Sequence, residues 1–203
     1  TSDYESGWIT AVHECLPTTS IRGCFFHFTQ AIIRKITKMG AMKKYREDGT
    51  FRDIVRSLIG LAFLPLNKDF PTLGEISNGS HDEQTSRFLE YFMGQWIVRV
   101  QPEMWNVRGR VHRTNNDLES WHNRLNLDVG KSKNVFFIIQ TLINDHIDST
   151  VLERQLESGL AVTSGKRNAD EKNKTIAKLE KDLESGKKSE KDFCLAVGSL
   201  MVR

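Results

Sequence analysis

The chain has 203 residues, 38% hydrophobic and 27% charged, with 29 Lys and Arg against 26 Asp and Glu for a net charge of +3. A length of this order buries roughly 70% of the unfolded surface, and the near-balance of charge permits a nucleic-acid partner without demanding one. Three scattered cysteines, Cys15, Cys24 and Cys194, exclude a disulfide framework; no apolar run is long enough to cross a bilayer, so no membrane partner is expected.

Asp3 to Cys15 reads as a helix, with Ser2 and Glu5 spaced as a capping box and Trp8, Ile9, Val12 and Leu16 as its inward stripe. Pro17 stops it, and Ser20 to Cys24 is short enough to be a strand. Phe28, Ile32, Ile36 and Met39 recur at helical spacing over Phe25 to Met39, with Gly40 as the C-cap. Thr50 to Leu64 is the next helix, its buried face traced by Phe51, Ile54, Val55, Leu58, Ile59 and Ala62 and its end set by Pro65.

Between Asn67 and Arg110, Glu83 to Ile97 is predicted helical on the spacing of Phe88, Tyr91, Phe92 and Trp96; Pro71, Gly74, Gly79 and Pro102 mark loops around it. Asn116 to Asn126 is a helix, and a longer one runs from about Asn134 toward Glu157 with Phe136, Ile139, Ile143 and Ile147 inward. Past Gly159 the composition shifts to Lys and Glu. A helical hairpin is expected there, with Ile176, Leu179 and Leu183 on one arm, a Ser185-Gly186 turn, and Phe193, Val197 and Leu200 on the other. Ser189 and Asp192 form a plausible cap of the second arm.

Three groups of residues could carry chemistry. Asp3 opens a helix, where a carboxylate is favoured by the helix dipole by about 0.3–1 kcal/mol whether or not it binds a metal. Glu119 stands three residues after Asn116, a capping spacing, yet its neighbourhood is unusually basic: Arg108, Arg110 and Arg113 precede it and Arg124 follows. Such density suits phosphate contacts that position DNA, although a solvated basic loop has the same composition. Cys24 and His27 make a Cys-x-x-His pair without a second pair at zinc spacing, so a buried thiol and a junction histidine remain the plain alternative. No Gly-rich phosphate loop, His-Glu-x-x-His or glycine-flanked serine supports another enzyme class.

Taken in order, the segments Ser2-Asp3-Tyr4-Glu5, Gly23-Cys24-Phe25-Phe26-His27-Phe28-Thr29-Gln30-Ala31-Ile32-Ile33-Arg34-Lys35 and Thr114-Asn115-Asn116-Asp117-Leu118-Glu119-Ser120-Trp121-His122-Asn123-Arg124-Leu125 resemble the later half of a Mutator-like (MULE) transposase domain. Leu61-Ala62-Phe63-Leu64-Pro65 is similar to the helical insertion of those proteins. The resemblance spans most of residues 1–150, and its middle motif is the most specific.

It implies a mainly α chain holding part of a ribonuclease-H-like α/β core (1–40), an all-helical insertion (41–112), a helix with the catalytic Glu and the helix after it (113–150), and a helical tail ending in the hairpin (151–203). It further implies that Asp3 and Glu119 are the second and third acidic ligands of Mg²⁺ or Mn²⁺, that Cys24 and His27 support the site, and that transposon-end DNA is the partner in the nucleus. The first strands of the core and its first catalytic Asp belong upstream of the residue matching Asp3. The chain opens at Thr1 rather than a methionine, which reads as a fragment, a processed product or an incomplete reading frame, and the polypeptide by itself is expected not to cut or join DNA. Apolar surface meant for the sheet should then invite self-association and leave residues 1–40 weakly protected from hydrogen exchange. The alternative is a non-catalytic helical module, co-opted from such an element, that binds DNA or protein.

Overall fold

The computed structural model describes residues 1–110, 113–114, 116–129, 134–158 and 167–202. Among these the chain is mainly helical and carries no strand longer than a single bridge. It divides into two compact units, residues 1–114 with 169–203, and residues 115–168.

The larger unit begins with α1 (Ser6–Cys15), which buries none of its residues: Trp8 and Leu16 are exposed, contrary to the inward stripe expected from their spacing. The expected Ser2 cap is also replaced. The helix starts after Glu5, and Ser2 is used instead in a parallel bridge to Gly23, donating its N–H to the Arg22 carbonyl at 2.6 Å and accepting from the Cys24 N–H at 2.6 Å. The strand expected over Ser20 to Cys24 is reduced to that bridge. The other edge of the segment is taken by carbonyls outside any strand, with the Gly23 N–H donating to Met104 and the Phe25 N–H to Arg113.

α2 (Phe25–Lys38) buries Phe25, Phe28, Ile32 and Ile36, as its periodicity predicts. Within residues 1–40, α2 is thus anchored in the core, whereas α1 buries none of its residues. After the short α3 (Met42–Glu47) comes α4 (Gly49–Gly60), capped by the Asp48 carboxylate, which accepts from the Thr50 and Phe51 N–H groups. Its face of Phe51, Ile54, Val55, Leu58 and Ile59 is buried and continues into a 3₁₀ turn, Leu61–Phe63.

The stretch expected to be loop after Asn67 is a helix, α5 (Leu66–Ser77), with Pro71 inside it. One lost hydrogen bond near the N-terminal end is offset by burial of Leu73 and Ile76. α6 (Glu83–Phe92) runs on as a π-helical stretch, Met93–Arg99, that turns Trp96 inward and leaves its carbonyl to accept from Trp105 Nε1 at 2.6 Å. α7 (Pro102–Trp105) brings in Trp105, which stacks on Phe28 with ring centroids 5.2 Å apart.

The hairpin of α10 (Arg167–Glu184) and α11 (Glu190–Met201) turns at Ser185–Gly186, with Gly186 at φ 70° and the Ser189 hydroxyl accepting from the Asp192 N–H, as the sequence indicates. It is no solvated appendage. α11 lies directly on α4, so close that a Cβ on Gly60 would overlap the Cys194 carbonyl and one on Gly198 the Arg56 carbonyl. Phe193, Cys194 and Val197 thereby complete the core, and a Lys68–Glu190 ion pair at 2.9 Å joins α5 to α11.

The smaller unit consists of α8 (Asn116–Val129) and α9 (Val135–Glu157). Trp121 Nε1 donates to Asp145 at 2.6 Å, and a cleft of about 420 Å³ between the two helices is lined by Trp121, Leu125, Phe137 and Thr141. Phe136, Ile139, Ile143 and Ile147, expected inward, are 78, 47, 47 and 53% exposed. α9 turns its polar Gln140, Asn144, Asp145 and Asp148 toward that cleft instead.

Candidate functional site

The bridge between Ser2 and Gly23 is parallel, and the chain between them is α1 with its flanking turns. That is a minimal extended–helix–extended crossover, in which residues following the two bridged positions leave at the same end. Asp3 and Cys24 are those residues. Asp3 is exposed, Cys24 is fully buried, and His27 sits half-buried in the first turn of α2.

Tyr4, next to Asp3, has φ 70°, a left-handed backbone that a bulky residue adopts only when its surroundings hold it there, at a cost of about 1–3 kcal/mol. Its ring meets Trp96 edge-on at 5.2 Å and fills the space a side chain on Gly23 would need. Hence the glycine that opens the Gly23-Cys24 motif: any larger residue would push Tyr4 away from the bridge. Burial drives the Tyr4 phenol pKa far up, helped by the neighbouring Cys24 and opposed by Arg110. Its buried hydroxyl has no hydrogen-bond partner among the described residues.

The arginines singled out from sequence fall into different roles. Arg108 pairs with Glu184 at 3.0 Å and reaches the Phe63 carbonyl at 3.4 Å, tying α10 to the core. Arg113 lies 5.3 Å from the Phe63 ring centroid and donates to the Arg110 carbonyl; burial lowers its pKa, and Glu180 raises it. Each therefore has contacts within the protein. Arg110 donates to the Glu103 carbonyl at 3.5 Å; its pKa is lowered by burial and then by Arg22, a like charge close by, and raised by Tyr4. Glu119 and Arg124 lie on α8, in the smaller unit, and their side chains are outside the described residues.

Sequence patterning missed the cleft beside the bridge. About 760 Å³ in volume, it is bounded by α1, Ser20–Arg22 and the end of the π-helical stretch, with Tyr4, Arg22, Arg99 and Met104 on its walls. Arg22 and Arg99 are 77 residues apart (99 − 22), and only folding unites them. Elsewhere Asp69 of α5 is buried at 1% exposure with no hydrogen bond to either carboxylate oxygen among the described residues. Burial pushes its pKa up to about 8; Asn106, whose amide is committed to the Leu64 carbonyl, opposes this in part, and Glu103 adds to it. Among the described residues no three His, Cys, Asp or Glu side chains converge as a metal-holding group.

No family model matches the chain, and no curated protein or solved structure matches it either.

Proposed function

We propose that the chain is part of a Mutator-like transposase domain, in which Asp3 and Glu119 are two of three carboxylates that hold Mg²⁺ or Mn²⁺ against transposon-end DNA in the nucleus. The observation that carries this reading is the parallel Ser2–Gly23 bridge around α1, which leaves an exposed carboxylate at the carboxyl end of an extended segment. That is where open α/β folds, the ribonuclease-H-like core among them in this proposal, mount their ligands. The held left-handed backbone at Tyr4 adds support, since such strain gathers at functional sites.

A hard divalent cation prefers carboxylate oxygen, which suits Asp3 and disfavours the Cys24 thiol as a ligand. When bound, the cations would activate a water or a 3′-hydroxyl and stabilise the oxygen leaving phosphorus. The protein's own part is positional: the bridge fixes the backbone of Asp3, α8 carries Glu119, and Cys24 and His27 brace the end of the paired segment.

Mn²⁺ tests the ligand assignment without requiring turnover. Titrated into ¹⁵N-labelled protein, it should broaden the amide resonances of Asp3, Tyr4 and Glu119 first, and Asp3→Asn and Glu119→Gln should each relieve that broadening. Broadening confined to other acidic surfaces would sink the assignment. Any Mg²⁺-dependent nicking of labelled DNA should be lost on Glu119→Ala; nicking that survives that change would count against the assignment. The exposed apolar residues of α9 favour a second reading, a non-catalytic binding module, which predicts DNA or protein affinity indifferent to Asp3 and Glu119.

A further inference from the structure

We propose that the cleft between α1, Ser20–Arg22 and the end of the π-helical stretch binds the sugar–phosphate backbone of a single DNA strand through Arg22 and Arg99. Both residues line the cleft, and neither guanidinium makes an ion pair or hydrogen bond with a described residue. Arg110 stands close enough to Arg22 for the two charges to disfavour each other, against one lining carboxylate, Glu103. An excess of arginine over carboxylate around one cleft favours an incoming anion, and the planar guanidinium fork matches phosphate oxygens.

The remaining walls fit a nucleotide better than a bare ion. Ser6, Thr10 and Gln101 offer hydrogen bonds, and Ile9 and Met104 an apolar surface. A volume of about 760 Å³ lies in the range of small-ligand sites, which admits one or two nucleotides but no duplex. The choice of DNA over other phosphate carriers rests on the strand-transfer reading, whereas the arginine cleft involves neither Asp3 nor Glu119.

The test is fluorescence anisotropy of labelled ten-nucleotide oligothymidylate with the full chain over a salt series. The wild type should bind, and Arg22→Gln combined with Arg99→Gln should lower affinity at least tenfold at low salt. The slope of log affinity against log salt should flatten by about 1.4, roughly 0.7 for each phosphate contact removed from a single strand. Arg87→Gln, an exposed arginine outside the cleft, should bind like the wild type. Unchanged affinity and slope in the double variant, with circular dichroism matching the wild type, would overturn the proposal. So would equal competition by thymidine monophosphate at matched phosphate concentration, by a duplex of the same length, or by polyglutamate. Failure of the Mn²⁺ assignment at Asp3 and Glu119 would leave these readings untouched, so the two ideas fail separately.

Discussion

The two units use the same sequence device to opposite ends. In α4, apolar residues at three- and four-residue spacing are all covered, and in α9 residues at the same spacing stand 47–78% exposed. Periodicity identifies a face; it does not say what lies against it. In the larger unit the answer comes from far along the chain, as α11 supplies the cover for α4. In the smaller unit α8 meets the polar side of α9 through the Trp121–Asp145 hydrogen bond. Buried contacts should therefore dominate the energetics of one unit and contribute little along the outer face of the other.

The largest expected effect tests that directly. Trp105→Ala removes a fully buried ring stacked on Phe28 and the hydrogen bond to the Trp96 carbonyl, and should cost about 3–5 kcal/mol in urea unfolding. A loss below 1 kcal/mol would mean that the aromatic core does not hold the larger unit together. Gly198→Ala comes next. Its methyl would overlap the Arg56 carbonyl, a backbone atom unable to rotate aside, and about 2–3 kcal/mol should be lost as the α4–α11 contact opens. Wild-type stability in that variant would refute the close backbone approach.

Asp69 should reveal itself through pH. The unfolded carboxyl titrates near 3.8 and the folded one near 8, so between these values the unfolded chain holds fewer protons. Stability from this group is full below pH 4 and falls by up to about 1.4 kcal/mol per pH unit as pH rises toward 8. Asp69→Asn should flatten that decline between pH 5 and pH 8; parallel profiles for the two proteins would rule out the buried acid as its source. The smallest effect is expected at the other extreme of the comparison. Ile143→Ala on α9 should change stability by less than about 0.5 kcal/mol, whereas Leu58→Ala on α4 should cost about 2–5 kcal/mol. Comparable losses would show that the outer face of α9 is covered in solution.

Much of the helical frame was legible because its signals are local. Phe28, Ile32 and Ile36 mark α2, and Ser185–Gly186 marks the turn of the hairpin. What was illegible depends on distant partners. Pro71 argued for a loop, yet the core contacts of Leu73 and Ile76 keep α5 helical. Ser2 looked like a cap, but the Arg22 carbonyl and Cys24 N–H claim its backbone. In the candidate site, Asp3 and Cys24 stood out by residue type, while their common position at the end of a bridge did not. The contacts of Arg108 with Glu184 and of Arg113 with the Phe63 ring are set by the fold and are not legible in sequence.

The clasp between α4 and α11 also has a meaning in time. Residues 61–189 separate the two helices, so α4 emerges from the ribosome long before the surface that will cover it. At roughly 5–20 residues per second that interval is on the order of ten seconds. Through it the face of α4 around Arg56 and Gly60 waits for its cover, and α8 and α9 are made within the wait. The larger unit is thus completed only after the residues of the smaller one have been made, and it is most vulnerable during synthesis, before α11 arrives.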